Sequence, residues 1–395
     1  MAAALLACGP LYAQSGGVTI TLTGQSMLRS DLRATAPDAV PRIRSLLRGD
    51  VVFTNFEGAI AEAGQSVTGG GRGFLAPPEA LDALAAMGFN LLALSNNHAF
   101  DLKETGIDNT LREVKRRGIA HAGIGATLAD AAAPGYVHVG GLTIALVASA
   151  SGLIAPGGAA RADGRGVNEL RVMAGSAVNE ANADLPGAPR NVPNREDAAR
   201  ILQAIREAKA HADLVIVYQH NHVFGNKSFS TIFTEGMAER LEPNAWLRDW
   251  THEEIAAGAD VVVMHGAPLL HGVEIFRGKP IFYDLGNFIY NAPPAVWYIS
   301  EPMSWESVVA NLEFEGKTLR SIRLQPITMN YVGKGQADLQ SQYTSNEFLH
   351  TRGLPSAADG AQARYILERL AEYSKPFGTR IAIDGGVASI AVGRR

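Results

Sequence analysis

The sequence predicts an α/β fold in which two mixed sheets pack face to face with helices outside, and three observations predict it. Apolar runs repeatedly end in polar residues, as in Leu91-Leu92-Ala93-Leu94-Ser95-Asn96-Asn97-His98. Strand-like and helix-like patterns alternate through the first half. The later half turns to hairpins: Val273–Phe276 and Pro280–Leu285 flank Arg277-Gly278-Lys279, and Ser307–Phe314 and Thr318–Leu324 flank Glu315-Gly316-Lys317. Two packed sheets with helices on their outer faces accommodate both styles.

Each element has its own signal. Val18–Thr23 alternates β-branched residues and reads as the first strand. A helix over Pro41–Arg48 leads to Val51-Val52-Phe53-Thr54, a strand that runs into Asn55-Phe56-Glu57. Gly64–Gly73, with Gly69-Gly70-Gly71 together, reads as a mobile loop. Pro77-Pro78-Glu79 starts a helix with Leu81, Leu84 and Met87 on one side. After His98, Ile107, Leu111 and Val114 recur at helical spacing. Gly135–Val139 and Leu142–Ala148 form a hairpin through Gly140-Gly141. Ser151–Pro193 shows little periodicity, and unstructured segments of that length are commonly lids or disordered. Asn194 is placed to cap a helix over Arg195–Ala210. Leu214–Tyr218 runs into Gln219-His220-Asn221-His222, a second loop spans Phe224–Pro243, and Val261–Met264 runs into His265. Ala361–Tyr373 reads as a late helix and Arg380–Val392 as closing strands.

At 395 residues, 47% of them apolar, the chain can bury a sizeable core. Its 35 basic and 39 acidic residues give a formal charge of −4 and no electrostatic case for nucleic acid. Ten histidines against one cysteine favour imidazole and carboxylate chemistry over thiolate chemistry. Met1–Ala13 is apolar and small, and reads as the tail of a secretory signal peptide cleaved after Ala13. Leu5-Leu6-Ala7-Cys8 also resembles a lipobox, in which a lipid on Cys8 gives the one membrane contact. No later run approaches the ~20 apolar residues of a membrane span. The expected location is periplasmic or otherwise extracytoplasmic. The expected division is a leader over 1–17, one domain over 18–330 and an extension over 331–395 that packs on it.

The order of the Gly24 segment, Asn55-Phe56-Glu57, Ser95-Asn96-Asn97-His98, His220, and Gly258-Ala259-Asp260 through Asp284-Leu285-Gly286-Asn287-Phe288 resembles the CapA family. These are capsule-biosynthesis proteins for poly-γ-glutamate, related to calcineurin-like metallophosphatases. The resemblance runs from about Val18 to Asn291, and the Asn-Asn-His and Asp-Leu-Gly-Asn-Phe blocks are its most specific parts. It implies a metallophosphatase-like αββα sandwich. In the family the first strand is followed by Gly-Asp, whose Asp is a metal ligand; here Gly24 is followed by Gln25. Glu57 matches the second-strand acid, and His220 the histidine of a later motif. Asn97 and His98 match a pair in which Asn binds metal and His donates a proton. The family's His-His-Pro-His reads His265-Gly266-Ala267-Pro268. The two-metal ligand set is therefore incomplete.

One divalent metal (Zn, Mn or Fe) remains open, held by Glu57, Asn97 and His220 with His222 or His265 as a fourth ligand. The alternative is a metal-free polar cluster of the same groups. His98 is the candidate proton donor, or else a helix cap. Asp101 either orients His98 or sits in the first turn of the next helix. His220 and His222 share one face if the strand stays regular. Gln25, Arg72, His222, His265 and His271 are candidate substrate contacts, with Arg72 and Lys227 suited to carboxylate or phosphate. Asp284 and Asn287 around Gly286 read as structural. The expected substrate is a small molecule or polymer with an amide, γ-glutamyl or ester bond, cut by an exported hydrolase. A metal-free lyase using His98, His220 and Glu57, and a non-catalytic component of polymer synthesis or export, are the alternatives.

Overall fold

Alternation of β-branched and apolar residues produces β1 (Gly17–Leu22), with Val18, Ile20 and Leu22 in the central core. The computed structural model describes residues 17–67, 73–173, 191–223, 243–291, 302–334 and 346–392. The leader with Cys8, the glycines at 69–71, Arg72 and Lys227 lie outside the described residues.

After β1 come β2 (Gln25–Met27), α1 (Ala39–Leu46), β3 (Val51–Asn55), α2 (Glu79–Met87), β4 (Leu91–Ala93), α3 (Lys103–Arg116) and β5 (Ala120–Ala122). α1 begins before Pro41, which sits in the first turn, where a missing N–H breaks no helical bond. α2 stops at Gly88, whose φ of +108° is open to glycine, and the Phe89 N–H closes on the Leu84 carbonyl at 3.1 Å. β1, β3, β4 and β5 run parallel. Their side chains alternate between two apolar layers: Phe53, Leu91 and Ala93 face the central core, while Val52 and Leu92 meet Ile43, Leu84, Met87 and Ile107 of the helices. Burial on both faces is why these strands read as continuous apolar runs.

The second sheet holds β6 (Gly135–Val139), β7 (Leu142–Ser151), β8 (Leu214–Asn221), β9 (Val261–His265), β10 (Val273–Phe276) and β11 (Lys279–Phe282), with α4 (Arg195–His211) and α5 (Ala245–Ala257) outside it. β7, β8, β9 and β11 are parallel, and β6 and β10 pair antiparallel at the edges. Asn194 caps α4 by accepting from the Glu196 and Asp197 N–H groups at 3.1 and 3.2 Å. α5 has no counterpart in the sequence reading, although Asn244 caps it and Trp246, Leu247 and Trp250 form its buried face.

The chain then forms β12 (Asn287–Tyr290), which pairs with β2, and a long hairpin of β13 (Glu306–Glu315) and β14 (Thr318–Met329). β15 (Pro355–Ala357), α6 (Gly360–Ser374), β16 (Ile381–Asp384) and β17 (Val387–Ile390) follow. The larger sheet has the order β16-β17-β14-β13-β1-β3-β4-β5, with β15 also on β14; the smaller is β10-β11-β9-β8-β7-β6. Ile20, Leu22 and Phe53 of one sheet share a core with Ile144, Leu146, Ile216 and Val263 of the other, joined by Ile366, Leu367 and Leu370 of α6. The layers are therefore helix, sheet, sheet, helix.

Of the two readings of Ser151–Pro193, lid or disorder, disorder does not hold for the described part. Gly166–Val167 pairs with Ile124–Gly125, Val172–Met173 pairs with Val192–Pro193, and Leu170 is fully buried against the second sheet. Residues 174–190 lie outside the described set.

Candidate functional site

Parallel strands of both sheets end at one place, the side where ligand sites form in such folds. β3 leads into Glu57, β4 into Asn97 and His98, and β8 carries His220 and leads into His222. Asn96 ties the first two ends together. Its amide donates to Asn55 Oδ1 at 3.1 Å and to the Phe56 carbonyl at 2.9 Å, and its own Oδ1 accepts the His98 N–H at 3.1 Å. The Glu57 N–H donates to the Ser26 carbonyl at 3.0 Å, and the His222 N–H to the Ser151 carbonyl at 2.8 Å. Backbone bonds thus fix where each ligand-bearing turn starts.

Four donor atoms converge. His220 Nε2 lies 3.0 Å from His222 Nε2, and Asn97 Oδ1 is 2.9 and 3.3 Å from the two nitrogens. Glu57 Oε1 stands 3.8 Å from His220 Nε2. Glu57, His220 and His222 each offer a ligand atom within 4.8 Å of the others, a possible metal-binding triad. Ligands about 2.1 Å from one ion lie roughly 3.0–3.4 Å apart, so the spacing of the two imidazoles and the amide oxygen fits a single divalent cation. Glu57 Oε2 is buried with no hydrogen-bond partner among the described residues, a second feature that a cation would relieve. Burial pushes the Glu57 carboxyl up to about 7, against the charge of His98. Burial likewise pulls His222 down to about 3 and His220 well below its usual value, so both rings are neutral at pH 7 and carry a lone pair. The Tyr218 hydroxyl, 3.2 Å from His220 Nδ1, serves either tautomer of that ring.

A proton-transfer pair adjoins this cluster. His98 Nδ1–H donates to Asp101 Oδ2 at 2.7 Å, and the same oxygen accepts the Phe74 N–H at 2.5 Å. α3 begins only at Lys103, so Asp101 orients His98 rather than filling a first helical turn. His98 Nε2 faces Glu57 Oε1 at 4.0 Å. Burial lowers the His98 pKa, but the hydrogen bond and charge of Asp101, helped by Glu57, outweigh it and leave the ring above its ordinary value.

His265 does not take the ligand position considered for it. It is fully buried, and its Nε2–H donates to the Thr23 carbonyl at 3.0 Å; the triad contains His222 instead. His271 lies between β9 and β10, with its N–H on the Asp284 carbonyl, and is not part of the triad. Gln25 donates to Asn287 Oδ1 at 3.0 Å and leaves its Oε1 buried without a partner among the described residues. Asp284 accepts from the Ala267 and Gly286 N–H groups at 2.8 and 2.6 Å, which makes it a turn-former. Tyr218 and Phe74 went unread in the sequence; alternation along β8 would have found Tyr218, two residues before His220.

Layers and site together define an αββα sandwich with an imidazole–carboxylate cluster at its strand ends. The chain belongs to the bacterial capsule synthesis protein family PGA_cap, which matches residues 19–292. The uncharacterized protein y4sH of Sinorhizobium fredii (strain NBRC 101917 / NGR234) is 30% identical across 95% of this chain and 93% of its own length. The PGA biosynthesis protein CapA of Bacillus subtilis (strain 168) is 29% identical across 54% of this chain and 46% of its own. The crystal structure of a hypothetical protein from Thermus thermophilus aligns with 78% of this chain and 98% of its own at 14% identity, with a TM-score of 0.42.

Proposed function

We propose that the chain is a hydrolase of capsule-polymer metabolism that works with one divalent cation. The observation that carries this reading is the convergence of Glu57, Asn97, His220 and His222 beside the His98–Asp101 pair. Those four residues would hold the cation, and when bound it would polarise a substrate oxygen and activate water. Asp101 keeps Nδ1 of His98 protonated, so the mobile proton sits on Nε2, on the side facing Glu57. His98 Nε2 gives that proton to the leaving atom of the scissile bond and regains one from the attacking water. The substrate class follows the family and its Bacillus subtilis relative, a PGA biosynthesis protein: an amide or γ-glutamyl bond, or an ester. The apolar first residues put this activity outside the cytoplasm in the same reading.

The test is turnover of γ-glutamyl and ester substrates by the purified, untagged chain, with and without added Zn, Mn or Fe. Metal-dependent hydrolysis that disappears in His98→Ala is the expected result. Equal hydrolysis in His98→Ala overturns the proton role. A second reading, acid–base chemistry without metal, is supported by Glu57, whose carboxyl lies near neutrality 4.0 Å from His98. Elimination products in the absence of metal would select it.

A further inference from the structure

We propose that Arg29 is the receptor for an anionic group of the substrate, a carboxylate or a phosphate, at the rim of the His98 centre. The inference rests on the reading of His98 as part of that centre. Arg29 follows β2, and its guanidinium lies 3.8 Å over the Phe74 ring. His98 also meets that ring, edge-on at 5.9 Å between centroids. Arg29 and His98 therefore share one aromatic wall.

The backbone of this residue is fixed and its charge is not consumed. The Arg29 N–H donates to Asn291 Oδ1 at 3.2 Å, and Nε donates to the Asn291 carbonyl at 3.0 Å. Those bonds and the stacking orient the plane of the fork. The two terminal nitrogens have no hydrogen-bond partner and no carboxylate within ion-pair distance among the described residues. Asp101, whose charge acts on Arg29, spends its Oδ2 on His98 and Phe74. A half-buried guanidinium with an open fork is an unusual arrangement, because the planar pair of donors matches an oxyanion in two parallel bonds. Its positive charge also reaches His98 and His350, so an anion bound there would be sensed at both imidazoles. Burial draws the Arg29 pKa to about 10, still far above neutrality, so the fork stays cationic.

Isothermal titration of the full chain with inorganic phosphate, and separately with acetate, tests this with and without EDTA. Saturable binding that survives EDTA and weakens about tenfold or more in Arg29→Gln is expected, from the size of a lost charged hydrogen bond. Arg29→Lys keeps the charge but not the fork, and should fall between the two. Binding of acetate alone assigns a carboxylate, and of phosphate alone a phosphate group. Binding of neither to the wild-type chain, or equal binding to wild type and Arg29→Gln, overturns the proposal. A misfolded Arg29→Gln is recognised by circular dichroism, and equal binding by Arg29→Lys and wild type then overturns the bidentate fork. The readout needs no turnover, so failure of the hydrolytic reading leaves it standing.

Discussion

Asp101 Oδ2 accepts two hydrogen bonds, one from His98 Nδ1 at 2.7 Å and one from the Phe74 backbone at 2.5 Å. The second bond anchors the carboxylate to the segment that carries the aromatic wall. The first makes Asp101 a positioning residue for His98, setting both its tautomer and its ring plane.

Removing the ring should remove chemistry and not structure. His98→Ala is expected to lower turnover roughly 10²–10⁴-fold, the range for a positioned acid or base. Asp101→Asn should lower it less, by about tenfold or more, with KM little changed. Steady-state kinetics alongside circular dichroism checks both. Loss of fold in either variant would show that the pair is structural.

Metal should bind once. Elemental analysis after dialysis is expected to find one equivalent at most, since His265 is bonded to Thr23 and Gln25 to Asn287. Glu57→Gln and His222→Ala should each weaken binding at least about tenfold by calorimetry. Two equivalents that resist dialysis would break the single-site assignment.

Restoring a family-like side chain at residue 266 should fail for a backbone reason. Gly266 has φ +128°, and a Cβ there would lie 2.1 Å from the Asn221 carbonyl oxygen. Even Gly266→Ala is expected to cost about 2–3 kcal/mol or more in urea unfolding. A change under about 0.5 kcal/mol would refute the clash.

Glu254, buried on α5, predicts a pH effect on stability. Burial raises its carboxyl to about 8, and both of its oxygens are buried without a hydrogen-bond partner among the described residues. The unfolded chain releases this proton near 4.5, whereas the folded chain holds it to about 8. Stability from this group is therefore complete below pH 4.5 and lost as pH rises to about 8, at up to ~1.4 kcal/mol per unit. Glu254→Gln should flatten that slope and gain relative stability at pH 9. A wild-type-minus-variant difference that stays constant from pH 5 to 9 would contradict this.

The strands were legible because both faces of β3, β4 and β8 are buried, which leaves a continuous apolar signal bounded by polar residues. Helix α4 was legible from one cap, Asn194, and the structure keeps that cap. α5 was not legible, because Thr251 and Glu254 put polar residues on its buried face among Trp246, Leu247, Trp250 and Ile255. At the site, the strand-end positions of Glu57, His98 and His220 could be read from the sequence. His222 could be read as well, on the same strand face as His220, but the choice between His222 and His265 could not. It depends on contacts distant in sequence: the His222 N–H extends the β7–β8 ladder by bonding Ser151, seventy-one residues earlier, while His265 turns Nε2 to Thr23. Arg29 carries no local signal, since its meaning comes from Phe74 and Asn291, both distant in sequence.

The pairing of Gly17 with Glu315 sets an order of events during synthesis. One edge of β1 meets β3 early, but the other waits until β13 has been made. Until then β1 is an open edge, able to bind the wrong strand. Closing so long a loop is slow, so the larger sheet is completed late. Every residue of the candidate cluster precedes β13, which means that the chemistry is translated before the platform that holds it is finished. A nascent chain stalled before Glu306 would therefore present an unpaired strand to chaperones, and a chain released whole would still have its longest-range pairing left to make.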